Sequence, residues 1–130
     1  MHEDRYFDND IIVYRYADII LLKAEALAAL GRIPEAVAEL NKTRTRAGIG
    51  AYTGPMDQNS VERAILKERW RELFVELKRW YDLVRFHKGG TINIYEVVPN
   101  LNNNPEYPLY FPVSQEVLDN NPKIEQTEGY

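Results

Sequence analysis

Glu68, Glu72 and Glu76 recur every fourth residue, which sets three carboxylates on one face of a helix. Carboxylates held side by side can do acid–base or divalent-metal chemistry. A dinuclear metal helix, however, draws on a Glu-x-x-His pattern, and neither His2 nor His87 stands in that relation to these acids. Arg69, Arg71 and Arg79 fall within a turn of them, so the expected role is a structural ion-pair network, with no metal and no cofactor. A further acid, Glu25, lies inside the apolar run RYADIILLKAEALAAL. An unpaired buried carboxylate is costly, so an arginine partner is expected from Arg44, Arg46 or Arg69. The competing role, a perturbed catalytic acid, has no nucleophile beside it in the sequence.

The aromatic residues form the other chemically capable set. Trp70, Trp80 and Tyr81 have faces that suit the C–H surfaces of sugar rings, but their helical spacing points to core packing. Of these, Trp80 and Tyr81, near the helix end, are the ones placed for a ligand. Tyr52, Tyr95, Tyr107 and Tyr110 fall in loop-like stretches and are the candidate ligand-binding residues. Asn100 and Asn102 to Asn104 add amide groups there, with turn formation as the competing role. No Gly-x-Gly-x-x-Gly, Walker loop or Ser/His/Asp arrangement occurs. Lys42, Arg44 and Arg46, and Lys78, Arg79, Arg85 and Lys88, are too interleaved with acids to make a phosphate-binding stripe.

Helices must position these groups. From residue 59 to 86, Leu66, Trp70, Leu73, Leu77, Trp80 and Val84 recur at three- or four-residue intervals, widened by Ile65, Phe74 and Tyr81. That spacing predicts one long amphipathic helix. Asn59 is the expected N-cap, with Glu62 completing a capping box, and Gly89-Gly90 ends it. Residues 15–30 predict an earlier helix buried on most faces, stopped by Gly31. Pro34 and Glu35 open the next, whose inner face is Ala36, Val37, Leu40 and Thr43 and whose stop is Gly48. So short a link makes the two antiparallel neighbours, and Ala24 and Ala36 let them approach closely. The pair resembles one tetratricopeptide-type hairpin, with no second copy at that period.

The remaining stretches are less regular. Ile11-Ile12-Val13-Tyr14 reads as a strand or an extended lead-in, and TINIYEVV as strand-like. Residues 107–113, with Pro108 and Pro112, cannot form a central strand. They read as an extended segment along the helices, anchored by Leu109, Phe111 and Val113. Ser114 is expected to cap a short helix that Asn121-Pro122 ends. Residues 1–10 read as frayed.

The 130 residues suit one domain. The net charge of −4 and the pI near 5.2 speak against nucleic-acid binding. There is no Cys, which excludes disulfides and thiolate chemistry. No apolar run reaches the roughly 20 residues of a membrane span, and Met1-His2-Glu3-Asp4 is not a signal peptide.

Several motifs occur in one order. Tyr16-Ala17-Asp18 and Ala24-Glu25-Ala26 come first, followed by Asn41-x-x-Arg44-x-Arg46-Ala47-Gly48. Glu68-Arg69-x-x-Glu72-Leu73-x-x-Glu76 and Arg79-Trp80-x-Asp82-Leu83-x-Arg85 come next. Phe111-Pro112, Asn121-Pro122 and Gln126-x-x-Gly129-Tyr130 close the chain. This series, over residues 13–130, resembles the C-terminal region of the SusD/RagB family of Bacteroidetes surface lipoproteins. Two positions depart from the family pattern. Leu77 stands where Gly is usual, which predicts a smoothed junction between two helical pieces, and Thr127-Glu128 replaces the usual Asn-Pro.

The resemblance implies a fragment of a longer protein that captures glycans or other nutrients at the outer-membrane surface, without catalysis, beside a TonB-dependent transporter. The membrane attachment it implies is an N-terminal lipid anchor, absent from this chain. The motifs themselves read as architectural, so this piece is expected to serve mainly as scaffold. The fold expected is all-α: a tetratricopeptide-like hairpin, a long packed helix and an irregular Pro/Asn-rich C-terminal wrap, as a single domain over residues 1–130. The other functional reading is a free-standing tetratricopeptide-like protein-interaction module.

Overall fold

The structure, a computed structural model, describes residues 13–130. The expectations for residues 1–10 and for Ile11 and Ile12 fall outside the described residues. Val13 and Tyr14 have no regular structure and are exposed. Among the described residues there are helices and turns and no strand. The chain divides into two compact units, residues 1–79 and 80–130.

In the first unit, α1 (Tyr16–Ala29), α2 (Ile33–Arg46) and α3 (Gln58–Glu72) pack on one another. The expected hairpin is present. Gly31 takes φ +73°, and the amide of Arg32 returns to the Leu27 carbonyl at 2.9 Å, closing α1 in a Schellman-type turn. Pro34 lies in the first turn of α2, and Gly48 at φ +70° follows its end. Leu21, Ala24, Ala28, Ala36, Leu40, Val61 and Ile65 are fully buried. The alanines let the backbones of α1 and α2 come close, and the larger side chains fill the space left by α3.

α3 departs from expectation at both ends. Its N-cap is Asp57, not Asn59: the Asp57 carboxylate accepts the Ser60 amide at 2.9 Å. The Ser60 hydrogen bonds hold the Asp57 carboxyl below the usual carboxylate range. Asn59 Oδ1 instead accepts from Arg63 at 2.8 Å, and Glu62 accepts from Gln58 at 2.8 Å. At the other end the long helix breaks after Glu72. Val75 and Leu77 adopt φ +67° and +57°, the left-handed region that costs an L side chain about 1–2 kcal/mol. Leu77 therefore does not smooth the junction; it adopts the backbone that a Gly there would take without strain.

The break also corrects the expected apolar stripe. Leu66 and Leu73 are buried, but Trp70, Phe74 and Leu77 are 51%, 70% and 87% exposed. The sharp turn restarts the helical phase, so the downstream face is set independently.

The second unit contains α4 (Arg79–Lys88, the first residue of which belongs to the first unit), α5 (Ile94–Val97), a 3-10 turn (Pro99–Leu101) and α6 (Gln115–Asn120). Leu83, Val84, Phe86, Ile92, Ile94 and Leu101 are its buried apolar residues. α4 stops at Gly89-Gly90 as expected, with the Thr91 amide returning to the Phe86 carbonyl at 3.0 Å. The strand expected in TINIYEVV is a helical turn instead. Asn93 Oδ1 accepts the Tyr95 amide at 3.2 Å and its Nδ2 donates to Glu96 at 2.8 Å, a capping arrangement that competes with an extended chain.

Residues 107–113 are irregular, as expected, and the Trp80 indole donates to the Leu109 carbonyl at 3.2 Å. Leu109 and Val113 are half-buried, but Phe111 is 77% exposed and anchors nothing. The tail is held by side chain–backbone bonds. Gln126 accepts the Val113 amide at 2.8 Å and donates to the Val113 carbonyl at 3.1 Å, imitating a strand pairing. Thr127 donates to the Phe111 carbonyl at 2.9 Å. Gly129 takes φ +98°, and a Cβ there would lie 3.1 Å from Pro108 Cβ. Gln126 and Gly129 of the Gln-x-x-Gly-Tyr ending thus serve the way the tail folds back.

Candidate functional site

The three spaced glutamates neutralise arginines. Glu68 pairs with Arg44 at 3.3 Å and Arg71 at 4.0 Å. Glu72 pairs with Arg15 at 2.7 Å and also with Arg46. Glu76, beyond the helix end, takes the same Arg15 at 2.9 Å. Hydrogen bonding to Glu72, ahead of Glu76, raises the Arg15 pKa above its ordinary value. Among the described residues no group of His, Asp and Glu lies together to hold a metal ion.

Arg69 reaches Asp18 at 2.8 Å, both groups being almost fully buried, and Lys78 stands 3.5 Å from the other Asp18 oxygen. Arg79 donates to the Leu66 carbonyl at 3.2 Å and lies 5.7 Å from the centre of the Trp70 ring. Glu25 is half-buried on α1. Sequence reasoning missed Asp18, Arg15 and Lys78. The available signal was an acid, Asp18, inside an otherwise apolar helix.

The candidate tyrosines separate by environment. Tyr52 is in the first unit, where it fixes a loop: its amide donates to Asn41 at 2.7 Å and its hydroxyl to the Pro55 carbonyl at 2.8 Å. Burial raises its hydroxyl pKa. Arg44 donates to the Gly50 carbonyl at 3.1 Å in the same loop, which accounts for the Asn41-x-x-Arg44 spacing.

Tyr95, Tyr107 and Tyr110 come together in the second unit. The Tyr95 hydroxyl donates to the Tyr107 carbonyl at 3.2 Å, and its ring meets His87 edge-on, with centroids 5.4 Å apart. Asn100 borders the same region. Asn102 and Asn103, at φ +51° and +55°, serve a tight turn, and Asn104 accepts the Glu106 amide at 3.1 Å.

Residues 109–111 divide two open grooves in this unit. One, about 320 Å³, runs between Trp80, Tyr81, Val84, Arg85 and Lys88 of α4 and the Leu109–Tyr110–Phe111 segment. The other, about 410 Å³, lies toward Leu101, Tyr107 and Tyr130. Both volumes fall in the lower part of the roughly 300–1,000 Å³ range of small-molecule sites. In the first groove Tyr81 and Tyr110 are 61% and 50% exposed. No carboxylate, imidazole or thiol lines it. Such a surface can stack on rings and attract anions; it offers no acid–base pair.

The SusD family model matches residues 2–130. The chain belongs to the SusD family. It is 37% identical over 131 residues to SusD-like protein P38 of Formosa agariphila, covering 95% of this chain and 25% of that protein. It is 33% identical over 136 residues to the starch-binding protein SusD of Bacteroides thetaiotaomicron, covering 96% of this chain and 22% of that protein. A crystal structure of a SusD superfamily protein from Bacteroides vulgatus superposes with a TM-score of 0.73 at 28% identity, over 91% of this chain and 27% of that one. The chain thus spans about a quarter of the length of these SusD relatives.

Proposed function

We propose that this chain is the C-terminal part of a cell-surface, lipid-anchored glycan- or nutrient-binding protein. It acts without catalysis and passes its ligand to a TonB-dependent transporter at the outer membrane. The observation that carries the reading is the SusD-family match over residues 2–130, and the exposed aromatic groove of the second unit is consistent with it. The first unit is the scaffold: its motif residues are engaged in capping, loop closure and ion pairs. Among the described residues no helix is long and apolar enough to cross a membrane, which suits attachment by a lipid.

A glycan array of this chain beside the longer protein tests the proposal. Binding by both puts ligand contact in this piece and leads to Tyr95, Tyr107 and Tyr110. Binding by the longer protein alone makes this piece scaffold. Binding by neither removes the glycan reading. A second reading, a tetratricopeptide-like protein-interaction module, draws on the exposure of Tyr16 and Ile19 on α1 and of Leu30 just after it; it predicts capture of a protein partner and no glycan binding.

A further inference from the structure

Of the two grooves that residues 109–111 divide, the one beside α4 has a definite electrostatic character. Its lining is aromatic and aliphatic apart from Arg85 and Lys88, so every formal charge in the lining is positive. Arg85 is 2.7 Å from the buried Asp82, which offsets its charge. Lys88 differs: its ammonium stands 4.8 Å from the centre of the Tyr110 ring, and among the described residues it forms no ion pair. The negative end of the helix dipole favours a cation in this last turn, and the Tyr110 ring draws it toward the groove. The result is a cation held over the Tyr110 ring in a groove that Trp80 and Tyr81 also line.

We infer that this groove takes an acidic sugar unit, a pyranose bearing a carboxylate, with the ring against Tyr81 and Tyr110 and the carboxylate at Lys88. The inference rests on the glycan-binding reading and narrows it. A neutral sugar would satisfy the aromatic faces but leave the ammonium without a counter-charge. A carboxylate supplies that charge and accepts hydrogen bonds from the ammonium. An apolar ligand would leave the charged edge unused. The site is open and solvated, so the attraction is modest and screened by salt.

The test is calorimetric titration of the 130-residue chain with a galacturonic-acid oligosaccharide and a neutral cello-oligosaccharide of equal length, at low and high salt. The acidic oligosaccharide is expected to bind about tenfold tighter at low salt, as one added charge contact would give, with the preference shrinking as salt rises. Lys88→Gln should abolish the preference, bringing the affinity for the acidic oligosaccharide down to that for the neutral one; Tyr110→Ala should weaken both. Equal binding of the two sugars by the unaltered chain overturns the inference while leaving glycan binding intact. Binding of neither removes the glycan reading for this piece as well. A preference that survives Lys88→Gln overturns the assignment of the anion contact.

Discussion

The two units of this chain are stabilised differently. In the first, three helices bury alanine, leucine, isoleucine and valine, and ion pairs link α1, α2 and the end of α3. In the second, regular structure is sparse, and from Asn102 onward no residue is fully buried. That stretch relies on Gln126, Thr127 and Asn104 bonding to backbone, and it leaves aromatic faces in solvent. The first unit has its conspicuous charged residues committed to structure, whereas the second has surface available for a ligand. The glutamate series, expected from its neighbouring arginines to be structural, is taken up by ion pairs, and of the loop tyrosines Tyr107 and Tyr110 line the grooves whereas Tyr52 closes a loop of the first unit.

The largest expected effect lies in the first unit. Asp18→Ala removes the buried carboxylate that Arg69 and Lys78 both meet, and should cost about 3–5 kcal/mol in urea unfolding. A loss below 1 kcal/mol, on the order of an exposed pair, would remove the contrast between a buried ionic core here and a backbone-clamped tail. Gln126→Ala should cost about 1 kcal/mol and act locally. Amide exchange should rise at Val113 while α1 and α2 exchange as before; a matching rise in α1 would mean that the two units do not respond separately.

Leu77→Gly and Val75→Gly should move stability the other way. Each relieves a left-handed backbone worth about 1–2 kcal/mol, less the entropy of a new glycine, for a net gain below about 1 kcal/mol. Destabilisation would show that these exposed side chains make contacts that outweigh the strain.

The smallest effect concerns pH. Glu39, almost fully buried, accepts from Lys23 and Lys42 at 2.6 Å each, Lys23 having the larger influence, and its carboxyl is held below its ordinary 4.5. Its contribution is present above pH 4.5 and is lost as pH falls through the lowered value. Both lysines are largely exposed, so Glu39→Gln should cost under about 1 kcal/mol at neutral pH and nothing in strong acid. An equal loss at both pH values in parallel thermal melts would show that packing, not charge, is what the substitution removes.

Local sequence rules determined much of this protein. The helical hairpin follows from apolar periodicity, Gly31, Pro34 and Gly48, because each acts through the conformation of its own few residues. The order of motifs led to the family for a similar reason, since identity and spacing survive without any knowledge of packing. Tertiary structure alone decided the rest. Nothing local distinguishes Asp18 from Glu25 as the acid that meets Arg69 at 2.8 Å, because the choice depends on how α3 crosses α1. A periodic pattern cannot reveal that Val75 and Leu77 turn the chain against their own preference; Arg15, gripping Glu72 and Glu76, and the Val13 carbonyl, which accepts from Lys78, hold that turn from far along the sequence. The candidate groove has the same origin. Tyr110 and Lys88 are separated by a long stretch of chain, and their 4.8 Å meeting arises only when residues 109–111 lie beside α4.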